Sequence, residues 1–269
     1  MSEQSGGFSA DWLALREPVD HASVNHGLRM RLIEHLRGRD HLRICDLGCG
    51  TGSNYRGLAP DLSPARQSWT LCDIDPALLD VAAGTEPHDG TEVTTRQIDL
   101  NSADLAELAA SADLLTASAL FDVTSREVVS RVAEACAKTR AAFYTVLTYD
   151  GLAAWFPEHE LNGAMRSAFN AHQETDKGMG TALGPSATDA LADAFAAVGY
   201  GVVRAPSPWV IKSEHQALQR ALDIGWADAA VASSFVSRAD ADVWVATRHA
   251  DDAVTLVGHE DLIALPPSP

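Results

Sequence analysis

Apolar runs and amphipathic stretches alternate along the first half of the chain. The apolar or alternating segments predict five β-strands, over Leu42–Leu47, Trp69–Asp73, Glu92–Ile98, Asp113–Ser118 and Ala142–Thr148. Between the last two strands, apolar residues at helical spacing from Val128 to Cys136 predict an amphipathic helix. Strands separated by helices are typical of βαβ units, which build a parallel sheet with both faces covered.

The pattern is less regular at the two ends of the chain. Helices are predicted over Phe8–Arg16, 25–36, Ala187–Val198, Ser213–Ala232 and Arg238–Ala250. Two further strands are predicted, at Tyr200–Arg204 and Val254–Val257. Since no clear linker divides the chain, we expect an N-terminal helical cap over 1–40 and one α/β domain over 41–269, with cap insertions at about 151–185 and 213–250.

Composition narrows the classes of function. A chain of 269 residues that is 46% hydrophobic can bury one substantial core. Lys and Arg total 20 against 37 Asp and Glu, and a net charge of −17 repels nucleic-acid backbones and anionic membranes. The chain lacks the roughly 18 consecutive apolar residues of a membrane helix. The sequence leaves open whether it forms a monomer or a homodimer.

Compartment and metal binding can be judged from the first residues and the cysteines. Segment 1–7 is polar and acidic, unlike a secretory signal. The four cysteines form no C-x-x-C pair, so we predict no metal site. We therefore expect a reduced, cytoplasmic setting.

A glycine loop follows the first predicted strand. Gly48, Gly50 and Gly52 alternate with other residues, and a short helix is predicted from Asn54. Glycines permit positive φ and close approach of a ligand, and the helix start offers free N–H groups. Such a strand–loop–helix unit is the nucleotide-binding turn of doubly wound folds. The dinucleotide pattern G-x-G-x-x-G needs a third glycine where Ser53 stands, so NAD and FAD are the weaker interpretation.

A carboxylate at the end of the second predicted strand supports a nucleoside ligand. Asp73 follows Gly48 by 25 residues, and an acid at this place in the topology faces ribose hydroxyls. Charged hydrogen bonds of this kind are the strong ones. Asp75, followed by Pro76, is also suited to begin the next helix as its N-cap. The two roles are compatible, with Asp73 as ligand and Asp75 as cap.

The motifs together resemble those of the class I S-adenosylmethionine-dependent methyltransferases. The stretch from Asp46 to Gly52 is similar to the first motif of that family, and Asp73 matches its acidic second motif. Gln97–Leu100 resembles the third motif, in which an acid meets the adenine amino group and an apolar neighbour packs on the ring. Asp113–Ser118 is similar to the fourth motif, which closes over the methionine part of the cofactor.

The resemblance covers about residues 42–150 and carries expectations for fold and cofactor. It implies an α/β, Rossmann-like fold with a doubly wound, seven-stranded, mostly parallel sheet, an antiparallel last strand and a helical cap. It implies S-adenosyl-L-methionine as the cofactor. The residues that it implies for cofactor binding are Asp46, Gly48, Gly50, Gly52, Asn54, Asp73, Ile74, Asp99, Leu100, Ala117 and Ser118, with Arg16 from the N-terminal segment.

Two of these assignments have alternatives of equal or greater weight. Asn54 lies where it could reach the methionine end of the cofactor, but it could equally cap the short helix. Arg16 could pair with the cofactor carboxylate, whereas an ordinary solvated surface arginine is the more frequent case.

Candidates for chemistry follow the predicted strands or lie in the second half. Methyl transfer depends mainly on positioning an in-line acceptor, and a base is needed only if the acceptor must lose a proton. Asp122 follows the fourth strand and Tyr149 the fifth, where doubly wound folds place their active sites. His172, in a polar segment flanked by glycines, titrates near neutrality and is the first choice for a base. Asp122 as a helix cap and His172 as a surface histidine are the alternatives.

The sequence therefore predicts a methyltransferase that acts on a small-molecule acceptor. The acidic surface argues against nucleic acid, and a substantial cap argues for a compact acceptor. Two alternatives remain open: other chemistry with the same cofactor, such as aminopropyl transfer, and a non-catalytic protein that binds the cofactor or a nucleoside. The acceptor atom and its metabolite class are not encoded in these motifs.

Overall fold

A computed structural model describes residues 8–62, 66–248 and 252–267. The tail 1–7 and the end of the helix predicted over Arg238–Ala250 lie outside these ranges. The strands are β1 (His41–Leu47), β2 (Arg66–Asp73), β3 (Thr91–Gln97), β4 (Leu114–Ser118), β5 (Ala142–Phe156), β6 (Gly201–Pro206), β7 (Trp209–Ile211) and β8 (Val254–Leu265). The helices are α1 (Ala10–Ser23), α2 (His26–Leu36), α3 (Ser53–Leu58), α4 (Pro76–Ala83), α5 (Leu105–Ala110), α6 (Arg126–Thr139), α7 (Asn162–Gln173), α8 (Ala187–Ala197), α9 (Gln216–Ala232) and α10 (Arg238–Thr247).

The strands form one sheet in the order β3-β2-β1-β4-β5-β8-β6, with β7 paired to the other end of β8. Strands β1 to β5 run parallel to one another, and β8 runs antiparallel to β5, β6 and β7. The predicted mostly parallel sheet with an antiparallel last strand is confirmed. The predicted count of seven strands is one too low. The missed strand, β7, follows Pro206 and Pro208 and has only three residues, too few to show the alternation of apolar and polar positions that predicts a strand.

Strands β5 and β8 are longer than the sequence predicts. The prediction ended β5 at Thr148 and β8 at Val257, whereas the two strands pair as far as Phe156 and Leu265. Irregularities in the pairing interrupt the alternation, and Leu147 has a φ of 59° within one of them. The carboxylate of Asp261 accepts the amide of Leu147 at 2.8 Å and so satisfies the irregular backbone.

Buried side chains lie on both faces of the sheet, as expected for a doubly wound fold. On one face, Leu28, Leu32 and Leu36 of α2 belong to the same buried apolar cluster as residues of α7, α9 and α10. On the other face, α5, α6 and α8 cover the sheet, and Val132 and Phe195 are fully buried there. Because both faces are covered, the carboxyl ends of the parallel strands are the part of the sheet where a ligand can bind.

Helix α1 continues for seven residues beyond the predicted stop at Arg16. Pro18 lies inside it, although proline cannot donate the helical hydrogen bond of its position. The helix persists because its last turns are packed: Val19 and Asp20 are buried. Among the described residues, no helix is long and apolar enough to cross a membrane.

Candidate functional site

The glycine loop after β1 is held in a conformation that requires glycine. Gly48, Gly50 and Gly52 have φ values of 61°, 54° and 84°. The amide of Gly50 donates to Oδ2 of Asp73 at 2.8 Å, so the acid at the end of β2 fixes the loop after β1. This contact leaves further lone pairs of the carboxylate for other donors. The loop and Asp73 therefore form one unit at the carboxyl end of the sheet.

Helix α1 closes over this loop. A Cβ added to Gly50 would lie 2.9 Å from Cδ1 of Leu13, so the helix packs directly on the glycine. The Arg56 guanidinium donates to both carboxylate oxygens of Glu17, at 2.7 and 2.6 Å, and to the carbonyl of Thr51 at 2.6 Å. Burial alone would raise the pKa of Glu17, but the hydrogen bond and charge of Arg56 lower it. Arg56 thus ties α1 to the glycine loop through a bidentate ion pair.

A cavity of about 1160 Å³ opens between the loop, α1, α7 and α9. It exceeds the roughly 300–1,000 Å³ of a pocket for one drug-sized ligand. The predicted cofactor residues that line it are Arg16, Gly48, Gly50, Asn54, Asp73, Ile74, Asp99, Leu100 and Ser118. Asp46, Gly52 and Ala117 do not line it. The side chains of Asp46 and Ala117 are fully buried behind its wall.

Asp46 acts behind the loop. Its Oδ1 accepts the Asn54 amide at 2.7 Å, and the same amide nitrogen donates to Oγ1 of Thr116 at 3.1 Å. Burial and the nearby charge of Asp73 raise the pKa of Asp46 to about 7, and the hydrogen bond from Asn54 opposes the shift. The proposed capping role of Asn54 is wrong, because the N-cap of α3 is Gly52. Asp46 instead orients Asn54, which faces the cavity.

The second and third predicted motifs lie beside each other on the cavity wall. Oδ1 of Asp73 accepts the amide of Asp75 at 3.0 Å, and Asp75 caps α4 through the amide of Ala77, as predicted. Ile74 is 62% exposed, which leaves a large apolar side chain open toward the cavity. Asp99, which follows the adjacent strand β3, accepts the amide of Asn101 at 2.9 Å. Two carboxylates and an apolar surface suit a ribose and an adenine ring.

Arg16 is neither solvated nor free. Its side chain is about nine-tenths buried and makes two hydrogen bonds to the carboxylate of Asp20, at 2.8 and 3.2 Å. The guanidinium carbon lies 4.9 Å from the ring centre of Trp209, a cation–π contact. The solvated-surface alternative is therefore wrong, and Arg16 contributes to the cavity as an already paired cation.

His172 and Lys177 meet on the wall formed by α7 and the segment after it. Nζ of Lys177 lies 3.3 Å from Nδ1 of His172. Burial lowers the pKa of both groups, and the lysine charge adds to the effect on His172. An ammonium group only donates, so Nδ1 accepts and Nε2 carries the proton. Since His172 is part of the cavity, the surface-histidine alternative is wrong.

Asp122 and Tyr149 stand behind the cavity wall. The Asp122 side chain is buried, and its Oδ1 has no hydrogen-bond partner among the described residues. Burial raises the pKa of Asp122 to about 6, which the charge of Arg16 opposes. Asp122 does not cap α6, because Ser125 does. The hydroxyl of Tyr149 donates to Oδ1 of Asn170 at 2.7 Å.

Three further residues of the site were not singled out from the sequence. Phe169 of α7 and Trp226 of α9 line the cavity as a stacked pair, with ring centres 4.0 Å apart and planes at 19°. Lys177 is the third, and the chain has only three lysines. Leu218, Leu222 and Trp226 recur at helical spacing, which is typical of core residues, and Trp226 is indeed buried beneath Phe169. The scarcity of lysine in an acidic chain was the signal available for Lys177.

The described residues contain no candidate metal site. Within 8–62, 66–248 and 252–267, no three His, Cys, Asp or Glu side chains lie close enough together to ligate one ion. Asp176, which follows His172 by four residues, accepts the amide of Gly178 at 2.7 Å. The charged groups of the site are thus arranged for hydrogen bonding.

Comparisons with known proteins agree with this arrangement. Residues 44–142 match the model of a family described as a methyltransferase domain. The YcgJ protein from Bacillus subtilis has a similar structure, with 13% identity, coverage of 91% of this chain and 100% of that one, and a TM-score of 0.50. A candidate methyltransferase from Bacillus halodurans has 14% identity, coverage of 89% and 99%, and a TM-score of 0.50. At these identities the structures support the fold alone. A search of curated proteins finds no match.

The family match spans the glycine loop, Asp73, Asp99 and Ser118. It confirms the resemblance, and with it the enzyme class and the cofactor, S-adenosyl-L-methionine. The residues present also fit that cofactor. Glycines with positive φ leave room where a Cβ would intrude, and carboxylates stand at the ends of the adjacent strands.

Proposed function

We propose that the chain, a class I S-adenosylmethionine-dependent methyltransferase by its residues 44–142, methylates a small-molecule acceptor held in the cavity between α1, α7 and α9. One observation carries the proposal: a single cavity runs from the glycine loop to the Phe169–Trp226 pair. Its volume of about 1160 Å³ has room for a nucleoside cofactor and a compact second molecule.

On this proposal the loop side of the cavity holds the cofactor. Asp73 accepts hydrogen bonds from the ribose hydroxyls while it keeps Gly50 in place. Asp99 meets the adenine amino group, and Ile74 and Leu100 supply apolar contacts to the ring. Asn54, oriented by Asp46, and Ser118 face the methionine part. When bound, S-adenosyl-L-methionine supplies a methyl group already activated on its sulfonium.

The opposite side of the cavity orients the acceptor and excludes water. Leu13 and Trp12 of α1 line one side of the cavity, and Phe169, backed by the buried Trp226, forms its floor. Positioning of two reactants in this manner can lower a barrier by several kcal/mol, up to roughly 7–11 kcal/mol. His172 faces the acceptor, and with its proton on Nε2 it donates a hydrogen bond rather than removing a proton. Tyr149 and Asp122 are positioning residues on this proposal.

Calorimetry with S-adenosylmethionine and S-adenosylhomocysteine tests the cofactor half of the proposal. We expect Asp73→Asn to weaken both at least 10-fold, because an amide oxygen replaces a charged acceptor. Asp89→Asn, at an exposed position outside the cavity, is the matched control and should bind as the parent does. Equal affinities of the parent and Asp73→Asn would contradict the assignment.

A turnover assay tests the acceptor half. Protein given S-adenosylmethionine with a labelled methyl group and a low-molecular-weight cell extract should release a labelled small molecule. Label found only in protein or nucleic acid would refute a small-molecule acceptor. Tight cofactor binding with no labelled product from any fraction would instead favour a non-catalytic binding protein.

A further inference from the structure

The floor of the cavity is the ring of Phe169, held rigidly from behind by the buried Trp226. Phe169 and Trp226 stack with ring centres 4.0 Å apart. Tyr149 and Trp155 meet Trp226 edge-on, with ring centres 6.5 and 4.8 Å away. Aromatic pairs packed in this way have few alternative positions and favour a planar partner on their free face. The floor therefore suits a flat, largely apolar molecule.

A cation without a counterion lies next to this floor. Nζ of Lys177 has no carboxylate within 4.0 Å among the residues that the structure describes, and its only side-chain partner there is His172. His172 follows Phe169 by three residues on α7, which places the two on one helix face with Cβ atoms roughly 5–6 Å apart. All three residues line the same cavity. The lysine, its histidine partner and the aromatic floor thus face the same ligand space.

The acidic groups of the cavity are occupied elsewhere. Asp20 pairs with Arg16, and Asp228 at the cavity edge pairs with Arg238 at 2.9 Å. The three remaining carboxylates that line the cavity accept backbone amides of the loop, of α4 and of the turn after β3; they are Asp73, Asp75 and Asp99. In a chain of net charge −17, a partly buried lysine that none of these acids approaches leaves an anion-binding position open.

We propose that the acceptor is a planar, largely apolar compound that bears an anionic group such as a carboxylate. Its ring lies against the free face of Phe169, and its anion accepts hydrogen bonds from Nζ of Lys177 and Nε2 of His172. This inference rests on the proposed function and names the class of acceptor for the same cavity.

Three compounds of one shape test the charge preference. The probes are 2-naphthoate, neutral 2-naphthamide and the cation 2-naphthylmethylammonium, each titrated by calorimetry into protein saturated with S-adenosylhomocysteine. We expect 2-naphthoate to bind about 10-fold or more tighter than the amide, as for a hydrogen bond between charged groups, and the cation to bind weakest. Lys177→Met keeps the apolar stem without the charge and should abolish the preference for the anion.

A pair of glycine substitutions tests the location. Gly225 of α9 lines the cavity, and a Cβ added there meets no atom within 4 Å, so Gly225→Leu fills ligand space without a backbone clash. Gly163 of α7 is a helical glycine with the same open surroundings outside the cavity. Both variants should fold, because leucine favours a helix more than glycine does. Gly225→Leu should weaken the binding of 2-naphthoate at least 10-fold, and Gly163→Leu should leave the affinity for 2-naphthoate unchanged.

Several outcomes would overturn the proposal. They are a preference for the cation or the amide, binding of none of the three probes, and equal loss in the two leucine variants. If Lys177→Met binds S-adenosylhomocysteine more weakly but keeps the preference for the anion, the lysine contacts the cofactor instead. Failure of the proposed function is seen separately, since S-adenosylhomocysteine is titrated alone first. If it does not bind, the probe series on the free protein still decides the anion preference.

Discussion

Asp46 makes stability depend on pH in a way that can be isolated. Its carboxyl is fully buried, and its Oδ2 has no hydrogen-bond partner among the described residues. Burial first, and then the charge of Asp73, raise its pKa to about 7. In the unfolded chain an aspartate titrates near 3.9, at about its reference value. Between these values the folded protein holds a proton that the unfolded chain has released, so stability falls as the pH rises through this range.

The expected magnitude follows from the width of that window. From pH 5 to a folded-state pKa of about 7 there are about two pH units, each worth about 1.36 kcal/mol, and no further change above pH 7. Asp46 should therefore cost the protein about 2–3 kcal/mol of stability between pH 5 and pH 8. Asp46→Asn keeps an acceptor for the Asn54 amide but cannot ionise, so it should escape this cost.

Urea unfolding of the parent and of Asp46→Asn at pH 5 and pH 8 measures the effect. The free energy of unfolding of the variant relative to the parent should rise by about 2–3 kcal/mol at the higher pH. Asp89→Asn, at an exposed carboxyl, should show the same difference from the parent at both pH values. If Asp46→Asn also shows a difference that does not change with pH, then Asp46 is ionised in the folded protein and the burial argument fails.

Further predictions concern the glycine loop, the segment over the adenine side and the layer behind the aromatic floor. Gly50→Ala should lower the free energy of unfolding by about 1–2 kcal/mol in urea, because its φ of 54° suits glycine; an unchanged value would argue against the loop conformation. Asn101→Ala removes the hydrogen bond to the Gly178 carbonyl at 3.2 Å and should speed limited proteolysis within 174–181. Unaltered cleavage would show that this contact does not hold the segment. Tyr149→Phe, which loses a hydrogen bond to Asn170, should cost about 1 kcal/mol of stability yet leave kcat within a factor of a few. A larger fall in kcat would place its hydroxyl in the reaction.

The sheet and the loop could be predicted because their signals are local. The apolar run of β1 leads directly into glycines at alternate positions, and the acid that ends β2 follows at the expected distance. β7 could not be found, since three residues give too short a pattern. The full length of β5 was missed because irregular pairing breaks the alternation on which strand prediction depends.

The acceptor side of the site could not be predicted for a different reason. Its residues come from α1, α7 and α9, which are far apart in the sequence and meet only through tertiary packing. Trp226 has the helical spacing of a core residue and indeed packs against Trp155 and Tyr149, but it also stacks on Phe169, which faces the cavity. Asn54 posed a similar problem, because the partner that orients it is the buried Asp46 on β1. Both roles depend on tertiary contacts between residues that are distant in the sequence, and a local sequence pattern does not reveal such contacts.

The packing of α1 on the glycine loop couples the N-terminal helix to whatever occupies the crevice. Leu13 rests on Gly50, and Glu17 holds Arg56, whose guanidinium also binds the carbonyl of Thr51. A molecule that fills the crevice and touches the docked helix must favour docking by the same factor by which docking strengthens its own binding. Fusions, labels or truncations that disturb the first helix would then appear as losses of affinity, even when every residue in contact with the ligand is intact.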